Sequence, residues 1–173
     1  MPFTFTTKSL LNFSFESRPY WLKPNDTELI INLNDTKNPN GNWIVGNLKH
    51  AGFYRVNYDV ENWNSLVSQL NMNGHELIDV TMRSQLIDDS YNLGRAEYVD
   101  QTVFLRVVNY LRNESDSKPF LVSLKGLNYI NGMLALSANE TIKKLFGIFF
   151  QGLFIKSYTR LNWKNITDDI SEM

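Results

Sequence analysis

The hydrophobic period of this sequence changes within two residues. In "GFYRVNYD", residues 52–59, Phe53, Arg55 and Asn57 share one face and Tyr54, Val56 and Tyr58 the other, the alternation of a half-buried strand. In "VENWNSLVSQL", which follows, Val60, Trp63, Leu66, Val67 and Leu70 fall on one helical face, with Asp59 where an N-cap belongs. A strand cannot continue through such a switch, so the octet is expected to be a strand-to-helix joint.

The residues on either side extend that reading. Upstream, alternating or β-rich runs at "FTFTT", "ELIINL", "NWIVGNL" and "GFYRVNY" are separated by turn chemistry at "KPND" and "NPNG", the pattern of a partial β-sandwich. Downstream, "TMRSQLIDDSYNL", "DQTVFLRVVNYL", "PFLVSLKGLNYINGML" and "NETIKKLFGIFFQGLF" each carry an apolar stripe of helical period, and Pro119 is placed to open the third. Short breaks between them imply antiparallel helix pairs stacked as in a solenoid. Strands first and helices afterwards predict an α+β order of segregated segments. Residues 1–59 form the partial β-sandwich and 60–173 the helical part, with a turn-rich break at Asn71 to Asp79.

Charge and length exclude several classes of partner. Lysine plus arginine number 17 against 18 aspartate plus glutamate, so no basic field exists for a nucleic acid. There is no cysteine, hence no disulfide framework and no cysteine-ligated zinc. The most apolar run, Leu145 to Ile155, is about half the roughly 20 residues a spanning helix needs, and reads as a buried helix rather than a membrane segment. The first residues alternate like a strand and lack the pattern of a signal peptide. Against that, N-x-[ST] acceptors for N-glycosylation stand at Asn12, Asn25, Asn34, Asn113, Asn139 and Asn165. They point to an extracellular or luminal origin, which the missing signal peptide opposes unless the chain is a piece of something longer.

Few constellations could carry chemistry. "HELID", His75 to Asp79, approaches the zinc-peptidase pattern of two histidines four apart with a glutamate base between them, but its fifth residue is Asp79 and His50 is the only other histidine. Following "NMNG", His75 and Glu76 read as solvated linker residues. Asp88 and Asp89 are adjacent acids beside Arg83 and Gln85. Neighbours in sequence point about 100° apart on a helix, and the helical neighbours of Arg83 are residues 86 and 87. Any partner of these acids must therefore come from elsewhere, which favours a structural network over paired general acid-base work. No phosphate loop, nucleophile elbow or Ser/His/Asp arrangement can be assembled. Tyr20, Trp21, Trp43, Trp63 and Trp163 sit in apolar runs and read as core.

Taken together, "NWIVGNLKHAGFYRVNYDVENWNSLVSQL" and "RSQLIDDSYNLGRAEYVD" resemble the join between the β-sandwich and C-terminal helical domains of zinc aminopeptidases of the aminopeptidase N and endoplasmic-reticulum aminopeptidase type, which are gluzincins. The shared positions are Trp43, Ile44, Asn47, Gly52, Tyr54 to Asp59, Asn62, Trp63, Arg83, Gln85 to Asp89, Asn92, Leu93, Arg95 and Ala96. This chain has Phe120 where the family prefers Trp, and Ser84 and Ser90 where it prefers Ala. Beyond about Thr141 the likeness fades.

The resemblance implies a zinc-dependent enzyme that removes N-terminal residues from peptides, with helices that help enclose the substrate. It brings no catalytic and no metal-binding residue onto this sequence, because the family's zinc helix and its amine-binding and transition-state residues lie upstream of the matching region. The chain is thus expected to be an inactive, non-catalytic portion of such an enzyme, with zinc and peptide bound only by the full-length protein. Its place would then be extracellular, membrane-bound or in the secretory pathway. A structural joint is expected from Tyr54, Arg55, Asn57, Tyr58, Asp59, Trp63, Arg83, Gln85, Asp88 and Asp89. The alternative is a free-standing peptide- or protein-binding module derived from such an enzyme.

Overall fold

The computed structural model describes residues 1–14, 19–32 and 42–160. The acceptors Asn34 and Asn165, the tryptophan at 163, and the whole "NPNG" turn lie outside the described residues. The fold is mostly helical, with a few short strands at its start. Strand β1 (Pro2–Phe3) pairs antiparallel with β3 (Tyr20–Trp21), and β2 (Phe5–Thr7) with β4 (Ile44–Gly46). Among the described residues five α-helices follow: α1 (Val60–Asn71), α2 (Val80–Arg95), α3 (Thr102–Val108), α4 (Ser117–Ala135) and α5 (Glu140–Arg160).

Each of the four long helices starts on an acidic or amide cap. Asp59 Oδ1 accepts from Asn62 N at 2.6 Å, Asp79 Oδ1 from Thr81 N at 2.9 Å, Asp116 Oδ1 from Lys118 N at 2.9 Å and Asn139 Oδ1 from Ile142 N at 3.1 Å. These side chains satisfy amides that the first helical turn leaves without an internal partner. Pro119 falls in the first turn of α4, where its missing N–H costs nothing.

Helix α2 lies at the centre, packed against both α3 and α4, while α5 packs on α4 and on the 3-10 turn Asn109–Asn113. Met82, Leu86 and Ile87 of α2 join Leu66 and Leu70 of α1, Val107 and Val108 of α3, and Leu127 of α4 in one core. Trp43, just before β4, and Val45 within it enter that same cluster. The strand segment is thereby tied into the helical core.

Several sequence-based expectations need correction. Neither 28–32 nor 52–58 forms a strand. The alternation of the octet is nevertheless real in three dimensions: Phe53, Arg55 and Asn57 are exposed, Val56 is buried, and Tyr54 and Tyr58 are half-buried. What it lacks is a ladder, because the outer edge of β4 is already occupied by side chains. Asn62 exchanges two bonds of 2.8 Å with Ile44 N and O, the Tyr58 hydroxyl accepts from Gly46 N at 3.1 Å, and Gln85 Nε2 donates to Gly46 O at 3.0 Å. Val60, at the solvent-facing start of α1, is 71% exposed rather than part of the apolar face. The run 145–155 is only half-buried, since Phe146 and Leu153 point inward while Leu145, Ile148 and Ile155 face outward.

Candidate functional site

The polar residues singled out in the sequence gather where the octet crosses α1 and α2. The turn before the octet is shaped by Asn47, which adopts a left-handed conformation with φ of 58° that asparagine tolerates better than most residues. Its side chain closes the loop: Oδ1 accepts from Gly52 N at 2.7 Å, and Nδ2 donates to Gly52 O at 2.9 Å and to Tyr54 O at 3.0 Å. Lys49, also left-handed, reaches across to the Asp79 carboxylate. Partial burial opposes ionisation of Asp79, but Lys49 and the Thr81 amide outweigh it and hold its carboxyl below the usual range.

Beyond the turn, Arg55 bridges both acids of α2. Its Nη1 donates to Asp88 Oδ2 and, at 3.1 Å, to Asp89 Oδ1. Asp89 Oδ2 accepts from Val56 N at 3.3 Å and from Gln85 Nε2 at 3.4 Å, so backbone and side chain hold the same carboxylate. The Asp89 side chain is 1% exposed, and its burial pushes the carboxyl above the usual range despite the opposing Val56 amide, Arg55 and Gln85. Asp88 faces outward and accepts from Asn92 Nδ2 at 2.9 Å.

The end of the octet is fixed to α1. Trp63 Nε1 donates to Asn57 Oδ1 at 3.0 Å, and Asn57 Nδ2 reaches Tyr98 O at 3.2 Å. The Tyr58 and Trp63 rings meet edge to face with centroids 5.0 Å apart, a favoured aromatic geometry. Burial raises the Tyr58 hydroxyl far above its ordinary value, so it stays protonated.

Arg83 alone of the expected joint residues is engaged elsewhere. It pairs with Glu114, at the end of the 3-10 turn that follows α3, and donates through Nη1 to Ile78 O at 2.6 Å. The sequence offered no signal for Glu114, which sits inside an N-x-S acceptor and in no periodic pattern. Asn62 and Lys49 were likewise missed as polar ties, because their roles depend on β4 and α2 being brought beside them.

The residues of "HELID" do not fit a zinc ion. They form a single 3-10 turn, His75–Leu77, not the interior of a long helix. His75 is 4% exposed and packed against the Tyr110 ring, which corrects the expectation that it is solvated, while Glu76 is exposed. It is buried because α1 and the turn after α3 close over the loop. Asp79 is committed to Lys49 and to capping α2. Among the described residues no three His, Asp or Glu side chains form a metal-binding group. The cleft beside the octet, about 470 Å³, is lined by His50, Gly52, Phe53, Tyr54, Arg55 and Asp88. Its charged members Arg55 and Asp88 are bonded to each other, so the arrangement is suited to holding elements together.

The family model described as "ERAP1-like C-terminal domain" matches residues 43–173, from β4 onward and past Thr141, where the likeness read from the sequence had faded. The chain is 36% identical over 123 residues to the thyrotropin-releasing hormone-degrading ectoenzyme of Rattus norvegicus, covering 71% of this chain and 11% of that protein. It is 32% identical over 170 residues to aminopeptidase N of Plutella xylostella, covering 98% of this chain and 17% of the relative. With human glutamyl aminopeptidase it shares 33% over 147 residues, 83% of this chain and 15% of the relative. The chain therefore spans about 11% to 17% of the length of these relatives.

Proposed function

The chain belongs to the ERAP1-like C-terminal domain family of the aminopeptidases, and on that premise we propose that it is a non-catalytic C-terminal portion of a zinc-dependent aminopeptidase. In the whole protein, N-terminal residues would be removed from peptides at a zinc site contributed by another part, and the helices of residues 60–173 would help enclose the peptide. Residues 1–59 would be the remnant of a sandwich, with the Arg55, Asp88 and Asp89 cluster and the Asn57–Trp63 bond acting as a joint. The observation that carries this reading is the family match over residues 43–173. The donor set of the chain supports the non-catalytic part of it, since His75 is enclosed and Asp79 is occupied. A secretory-pathway or extracellular setting is proposed with it, because one relative is named an ectoenzyme. No helix among the described residues is long and apolar enough to cross a membrane.

The test is metal analysis and peptidase assay of the purified chain. It should retain no stoichiometric zinc and should not cleave amino-acid naphthylamides. One tightly held zinc together with chelator-sensitive hydrolysis would overturn the reading.

A second reading, a free-standing peptide- or protein-binding module, draws on the outward apolar residues of α4 and α5, among them Leu121, Met133, Ile142, Leu145 and Ile148. It would require measurable binding of peptides by this chain alone in calorimetric titration. Heats no larger than dilution across a panel of peptides would eliminate it.

A further inference from the structure

A second cleft, of about 330 Å³, opens between α2 and α4 beside the turn that precedes the octet. Helix α2 contributes Ser84, Gln85 and Asp88 to its lining, α4 contributes Leu121, Val122 and Lys125, and the turn contributes His50. Its size falls at the lower end of the roughly 300–1,000 Å³ of ligand pockets, room for a single residue rather than a peptide. One lining residue carries a buried acceptor with nothing to accept. Gln85 is 1% exposed, and its Nε2 spends both hydrogens, on Gly46 O at 3.0 Å and on Asp89 Oδ2 at 3.4 Å. Its Oε1 is buried without a hydrogen-bond partner. Turning the amide over would set that oxygen against a carbonyl and a carboxylate, so its orientation is fixed. A buried acceptor in this state calls for a donor.

The other lining groups indicate which donor. Asp88 stands three residues from Gln85 and so on the same side of α2. It accepts from Arg55 and from Asn92 Nδ2 at 2.9 Å, and Arg55 is shared with Asp89. A carboxylate has about four acceptor positions, so Asp88 keeps capacity and negative charge for a further cation. Across the cleft, Lys125 is exposed and enters no ion pair among the described residues, which leaves its Nζ open to an anion. Leu121, 67% exposed, and the half-buried Val122 supply apolar surface beside it. From this set we propose that the cleft binds a free aliphatic amino acid as its zwitterion. The ammonium donates to Gln85 Oε1 and Asp88, the carboxylate accepts from Lys125 Nζ, and the branched side chain lies on Leu121 and Val122. Such amino acids are what the peptidase reaction proposed above releases, so the site would sense product, but the binding itself does not rest on that reading. A ligand held this way ties α4 to α2 where Arg55 joins α2 to the octet, and the bound protein is the more stable form.

The experiment is calorimetric titration and thermal unfolding of the full chain with L-leucine and two analogues, leucinamide, which lacks the carboxylate, and 4-methylpentanoate, which lacks the amine. Leucine should bind and raise the melting temperature with saturation. Leucinamide should bind more weakly, and 4-methylpentanoate should not bind. Lys125→Met, at an exposed position, should melt near wild type without ligand and bind leucine roughly tenfold to a hundredfold more weakly, the loss of one charged contact. Asp88→Asn should weaken leucine in the same way, and the analogue series on the wild-type chain decides the ammonium contact even where that variant folds poorly. Leucine heats no larger than dilution, 4-methylpentanoate binding as tightly as leucine, or equal leucine affinity for wild type and Lys125→Met would overturn the proposal. The titration involves no peptide cleavage, so its failure leaves the aminopeptidase reading standing, and failure of that reading leaves the titration unchanged.

Discussion

Arg83 holds Glu114 in a two-pronged ion pair, with Nε 2.8 Å from Oε2 and Nη2 3.1 Å from Oε1 and the two side chains 6% and 0% exposed. The fork is completed by the amides of Ser115 and Asp116, which donate to Glu114 Oε1 at 2.8 and 2.9 Å. One buried contact therefore joins α2 to the turn that precedes α4. Burial works against the charge on Glu114, but Arg83 and the two amides outweigh it and hold the carboxyl below its ordinary range.

That direction fixes a pH dependence. A carboxyl depressed in the folded state contributes stability that is present above its unfolded pKa, about 4.3 for Glu, and lost as pH falls through the lower folded value. Glu114→Ala should cost about 3 to 5 kcal/mol at neutral pH, because it strands a buried guanidinium. In urea unfolding, the gap between wild type and Glu114→Gln should narrow as pH drops from 5 toward about 3. A gap independent of pH would refute the assigned role.

Asp89 should behave with the opposite sign. Its carboxyl is raised by burial, so its contribution is full below the unfolded Asp value of about 3.9 and is lost as pH rises through the folded value. Asp89→Ala leaves Val56 N and Gln85 Nε2 without their acceptor and should cost about 1 to 3 kcal/mol. Arg55 is 40% exposed, which keeps the loss below that of a fully buried pair. Asp88→Ala, at the solvent-facing prong, should cost about 0 to 1 kcal/mol. Equal urea midpoints for the two variants would show that the burial difference does not matter.

Two helical glycines make a matched test of packing. A Cβ built at Gly126 of α4 would stand 2.5 Å from the Phe104 ring and 2.9 Å from Tyr91, whereas one at Gly132 meets nothing within 4 Å. Gly126→Ala should destabilise by about 1 to 3 kcal/mol through overpacking. Gly132→Ala should stabilise by up to about 1 kcal/mol, the helix preference of Ala over Gly. Melting temperatures that moved in the same direction for both would contradict the close approach of α4 to α2 and α3.

The sequence carried the parts of this fold that depend on local rules. Asp59, the helical period from Trp63 onward, and the in-and-out alternation of Tyr54 to Tyr58 follow from capping and periodicity, which act within a few residues. The missing ladder at 52–58 was not legible, because Asn62 and Gln85 displace a strand partner only once β4 lies against α1 and α2. Arg83 and Glu114 are separated by more than a helix length of chain, and no spacing rule connects them. His75 read as solvated because its loop is polar, yet Tyr110, far along the chain, covers it. The outward side of α5 was hidden for a related reason: an all-round apolar stretch does not say which of its faces finds a partner.

The final prediction concerns the point where the sequence changes period. Asp59 caps α1 through Asn62 N, and Trp63 both packs against Tyr58 and donates to Asn57. Asp59→Ala removes a cap and should cost roughly 0.5 to 2 kcal/mol. Trp63→Ala empties a buried aromatic site and should cost roughly 3 to 5 kcal/mol. Trp63→Phe keeps most of the ring volume but leaves Asn57 Oδ1 without the indole donor, so it should fall between wild type and Trp63→Ala. If the octet positions elements and takes no part in bond cleavage, Asp59→Ala placed at the matching position of an active aminopeptidase relative should lower its thermal midpoint while leaving turnover of a single-residue substrate near wild type. Intact stability with abolished turnover would instead assign Asp59 a place in the chemistry.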